Sequence, residues 1–140
     1  MKGYFNAVEH YYGDRLRLSI LIAAIVSFVA LPLYGDVLHF GIAAQVLGGL
    51  ILVLLAGLTN PHSKPVIIAD VLATGIGAFL LEVTAITYYS IDSTALFFTR
   101  EFEAILLMIA FYYSVKTARA MYLNIVGKIP GIQEFGDTKE

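Results

Sequence analysis

The chain has 140 residues, 59% hydrophobic and only 14% charged. Soluble globular domains hold roughly 45–50% apolar and about 25% charged residues, so the composition excludes an ordinary soluble domain and, on the same ground, a disordered chain. Lys and Arg number 9 against 11 Asp and Glu, which leaves no basic stripe for nucleic acid, and cysteine is absent, which removes disulfides, thiolate metal sites, iron–sulfur clusters and cysteine nucleophiles.

In chain order, residues 1–15 come first. Tyr4, Phe5, Val8, Tyr11 and Tyr12 fall at helical spacing, with Lys2, Asn6, Glu9 and Asp14 elsewhere on the wheel. This pattern predicts a short amphipathic helix lying in a membrane interface. Four apolar stretches follow, at about residues 18–34, 40–58, 66–89 and 95–122. A bilayer core takes about 20 helical residues. Continuous Leu/Ala/Ile-rich runs of this length fit helices and lack the alternation of barrel strands. Lys2, Arg15 and Arg17 ahead of the first run imitate a signal peptide. The run is longer than the usual signal core and no small-residue cleavage site follows, so it is expected to be retained. The connections at residues 34–37, 59–65 and 90–93 are short, and Pro61 and Pro65 stop helix continuation in the second. Short connections place consecutive helices antiparallel and side by side. Residues 125–140 hold Gly127, Pro130, Gly131 and Gly136 and are expected to form a mobile tail.

The fold class that follows is an all-α membrane protein: an antiparallel bundle of four transmembrane helices over residues 16–124. Its orientation follows the basic residues. Lys2, Arg15, Arg17, Lys64, Lys116, Arg119, Lys128 and Lys139 gather at one end, and the opposite connections carry Asp36 and Asp92. Both termini are therefore expected in the cytoplasm of a multi-pass cell-membrane protein.

Polar residues inside such a bundle are the ones to question, because a charge at a helix centre costs roughly 2.5–3.5 kcal/mol on the insertion scale. A turn centred on Ile91 and Asp92 puts Glu82 level with Arg100 and Glu101, and Asp70 level with Tyr113, a turn from Lys116. Two charge pairs are expected from this register: Glu82 with Arg100 toward the outer side, and Asp70 with Lys116 toward the inner side. Ser27, Gln45, Glu82, Arg100, Glu101 and Glu103 fall at similar depth and sketch one buried polar layer. Gly41, Gly48 and Gly49 share a face with Gln45, and Gly75, Ala78 and Ala85 share one with Glu82; such small residues let helices approach closely.

Three uses compete for the layer: a hydrogen-bonded network that fixes helix register, a site or pathway for a cation or proton, and an interface with another membrane subunit. Glu82, Glu101 and Glu103 outnumber Arg100, so a cation or proton completes the charge balance. The leading expectation is a small channel or transporter component, acting as a homo-oligomer. The alternative is a non-catalytic accessory or structural subunit of a larger membrane complex. An enzyme ranks behind both, since no nucleophile elbow, zinc-binding pair or phosphate loop occurs. His10, His39 and His62 lie on different parts of the chain, with His39 and His62 about a membrane apart, so no haem or metal site is expected from them. No cofactor is expected, and the partners are the lipid bilayer and either further copies of the chain or other membrane subunits.

Overall fold

The computed structural model describes residues 11–34, 39–60 and 62–126. Residues 1–10 of the expected interfacial segment and 127–140 of the expected tail lie outside them, and residues 13–15 of that segment belong to the first helix. The described residues contain four α-helices and no strand. The helices are α1 (Gly13–Val29), α2 (His39–Leu58), α3 (Lys64–Thr87) and α4 (Thr94–Tyr122), and a 3-10 turn, Leu31–Tyr34, follows α1.

Local chemistry explains the boundaries. α1 starts at Gly13 rather than near residue 18, with Asp14 in the first turn, where a carboxylate favours the helix dipole. It stops at Val29 because Pro32 has no N–H to continue the α-helical ladder and its ring crowds the preceding turn, and the chain tightens into the 3-10 turn. Pro65 sits in the first turn of α3, where its missing N–H costs nothing. Ser93 caps α4, its side chain accepting from the Leu96 N–H at 3.2 Å. At the far end Asn124 takes a left-handed φ of 53°. The Ile125 N–H then reaches the Ala120 carbonyl at 3.1 Å and the Asn124 N–H reaches that of Met121 at 3.3 Å. This pairing satisfies carbonyls that the end of a helix otherwise orphans.

The helices run antiparallel in sequence. α2 packs on α1, α3 packs on α4, and α1 lies along α4; α2 and α3 scarcely meet. The core that joins them includes Leu16, Ile20 and Ala23 of α1, Leu52 of α2, Ile67 and Ala78 of α3, and Leu107 and Ala110 of α4. Gly75 makes one of the close approaches possible, since a Cβ there would sit 2.9 Å from the Phe111 ring. α2 and α3 are each long and apolar enough to cross a membrane. α1, at 17 residues, is shorter, and α4 carries Arg100, Glu101, Glu103, Lys116 and Arg119 along its 29 residues.

Candidate functional site

Two buried polar clusters occupy opposite ends of this arrangement. The first lies toward the Asp92 end. α1 turns Leu16, Ile20, Ala23 and Ser27 to the core at helical spacing. α4 does the same with Leu96, Arg100, Glu103, Leu107 and Ala110. Ser27 and Glu103 are thereby brought face to face, and the Ser27 hydroxyl donates to Glu103 Oε1. From α2, Gln45 Nε2 donates to Glu103 Oε2 at 2.8 Å. The Tyr34 hydroxyl, delivered by the 3-10 turn, donates to Gln45 Oε1 at 3.0 Å. Glu103 is 3% exposed, yet each of its oxygens has a neutral donor.

Its nearest arginine is committed elsewhere. Arg100, 6% exposed, forms an ion pair with Asp92. Its guanidinium also lies over the rings of Tyr34 and Tyr88, 5.2 and 5.8 Å from their centroids. The expected pairing of Arg100 with Glu82 is not what forms. The cause is the direction of side chains on helices, which lean toward their own N-terminus. Arg100 on α4 leans toward the Asp92 end. Glu82 on α3, which runs the other way, leans toward the opposite end, so the two diverge although they are nearly level. Glu82 and Glu101 are both half-buried, and neither joins an ion pair among the described residues.

The second cluster surrounds Asp70, which is 0% exposed. The Thr59 hydroxyl lies 3.1 Å from Asp70 Oδ2 and 2.7 Å from the Leu55 carbonyl; with one proton to give, it serves one acceptor at a time. Arg17 donates to the Thr59 carbonyl. Asp70 Oδ1, Arg17 Nε and Thr117 Oγ1 are buried with no hydrogen-bond partner among the described residues. The expected partner, Lys116, is elsewhere. Thr117 is the residue α4 turns inward, and Lys116, one position away, is rotated by about 100° to the exposed side. There its ammonium sits 4.2 Å from the centroid of the Tyr12 ring.

Sequence reading missed the parts that Tyr34, Asp92, Thr59 and Arg17 play. Asp92, eight positions ahead of Arg100 and beyond the helix cap, carried a usable signal once the lean of α4 side chains is considered. Thr59, at the start of a connection that holds two prolines, carried none.

The first cluster opens to a cavity. A space of about 540 Å³ lies between α2 and α3. Small residues make room for it: Gly41, Ala44 and Gly48 on α2, and Ala73 and Gly77 on α3. Ser27, Tyr34, Gln45, Arg100 and Glu103 line it as well. Ile51, Ile76 and Leu80 also line it and are exposed, so it opens sideways between the two helices. The chain matches no known protein family, no curated protein and no solved structure.

Proposed function

We propose that the chain is a four-span protein of the cell membrane with its ends in the cytoplasm. It works as a homo-oligomeric channel or transporter component in which Glu103 takes up a cation or proton. The spans have adequate reach. The 17 residues of α1 rise about 25 Å, and the 4 residues of the 3-10 turn add about 8 Å, close to the hydrocarbon core of about 30 Å. The 29 residues of α4 rise about 43 Å, enough to carry Lys116 and Arg119 into the headgroup region. Arg15, Arg17, Lys64, Lys116 and Arg119 share the Thr59 end, which supports a cytoplasmic assignment for that end. Leu107 and Ala110 separate the two polar clusters, which favours a path completed by more than one copy.

The observation that carries the functional reading is a buried carboxylate whose neighbouring cation is already ion-paired to another acid. Arg100 and Asp92 neutralise each other, so Glu103 is left as an excess negative charge about 14 Å into α4. Keeping it ionised there is costly, and a proton or cation removes the cost. The test is flux in liposomes holding the purified full chain, under imposed proton, sodium or potassium gradients. Wild type is expected to dissipate at least one gradient, and Glu103→Gln is expected to fall to the level of empty liposomes while keeping its helical content. No flux from wild type, or equal flux from a well-folded Glu103→Gln, overturns the reading. An accessory subunit would instead co-purify from native membranes with unrelated chains at fixed stoichiometry.

A further inference from the structure

The site's shape and charge narrow what it takes up. We propose that the α2–α3 cavity binds a membrane-soluble organic cation, an onium whose charge is shielded by an apolar body, with its charge against Glu103. This deepens the transport reading and rests on Glu103 being the uptake group.

Three observations converge. The first is size. A space of about 540 Å³ falls within the roughly 300–1,000 Å³ typical of small-molecule sites, and greatly exceeds the ~30 Å³ that one water occupies. A bare inorganic ion leaves such a space empty. The second is access. The mouth lies between the two helices most apolar along their length, and its exposed rim is Ile51, Ile76 and Leu80. A hydrated ion gains nothing from that entrance and loses its water on the way. A cation whose charge is spread over a bulky apolar body is already dissolved in hydrocarbon and arrives without that cost. The third is charge complementarity. Glu103 faces the cavity with no ionic partner, and the one positive group in the lining, Arg100, is already paired to Asp92 and covered by Tyr34 and Tyr88. The floor is thus net negative. An anionic amphiphile finds no free positive group there and meets Glu103.

Gly48 provides an independent handle. It lines the cavity, and a Cβ at that position would meet nothing within 4 Å. Gly48→Leu is therefore expected to fill the space without disturbing packing.

The experiment measures binding of tetraphenylphosphonium to the full-length chain in lipid nanodiscs, against empty discs. Saturable binding above empty discs is expected. Glu103→Gln and Gly48→Leu are each expected to weaken it by at least about tenfold. Tetraphenylborate, an anion of the same shape, is expected not to compete. Gly48→Leu keeps the test decisive if Glu103→Gln fails to fold. Absence of saturable binding overturns the proposal, as does binding insensitive to Gly48→Leu or equal competition by tetraphenylborate. The flux assay separates this failure from that of the underlying reading. Glu103-dependent proton or sodium flux without phosphonium binding removes the organic cation and leaves Glu103 as the uptake group. Loss of both removes both.

Discussion

The two buried carboxylates are chemically alike and differently housed. Glu103 has a neutral donor on each oxygen and a cavity before it. Asp70 is sealed, shares a single hydroxyl with a backbone carbonyl, and keeps one oxygen without a partner among the described residues. The contrast teaches that two carboxylates of similar burial can be housed in very different ways. What distinguishes Glu103 is a built set of donors together with space for something to arrive. Thr59 ties the α2–α3 connection to α3 through Asp70 and to α1 through Arg17, contacts that hold structure together.

The comparison is most severely tested by Arg100→Met. It strands Asp92, whose side chain is 6% exposed, and removing one partner of a buried pair costs about 3–5 kcal/mol. Thermal unfolding in detergent should show a loss of this size, and Arg100→Asp combined with Asp92→Arg should recover part of it. Full stability of Arg100→Met would mean that the pair does not hold the Asp92 end together. Gln45→Leu comes next. It removes a donor from Glu103 and the acceptor of the Tyr34 hydroxyl, for an expected loss of about 1–3 kcal/mol, and it should weaken phosphonium binding as well. At the other cluster Thr59→Val should cost about 1 kcal/mol and leave phosphonium affinity unchanged. A fall in affinity there would erase the distinction between a binding cluster and a structural one. The smallest effect belongs to Glu82→Gln. Sequence register alone pairs Glu82 with Arg100 and expects damage, whereas the observed geometry expects a change within about 0.5 kcal/mol, readable in the same unfolding experiment.

The helices were legible because long apolar runs bounded by prolines and short polar connections leave the chain few alternatives. The depth of Ser27, Gln45 and Glu103 was legible for a related reason, since short hairpins tie residue number to height. Partner choice was not. Height says nothing about which way a side chain leans, and opposite leans on α3 and α4 separate Glu82 from Arg100. Height also says little about rotation around the axis, and one position puts Lys116 outside while Thr117 points in. The cavity was the least legible feature. Gly41 and Gly48 read as contact residues in sequence, and in the fold they make a gap, because α2 finds its partner in α1 and leaves α3 at a distance.

That unequal pairing has a mechanical consequence. The molecule has a spine, where α1 meets α4, and a fore-edge, where α2 faces α3. Spreading the spine breaks close-packed core, whose side chains resist small displacements. Spreading the fore-edge breaks little, so compliance concentrates there. On the reading proposed above, in which a membrane houses the chain and the slot holds an organic cation, the width of the slot is set by that guest and by the lateral pressure of the lipid. A stouter guest widens such a slot where a rigid one would refuse it. On that reading girth is a poor criterion for entry, and discrimination falls to the charge waiting at the floor.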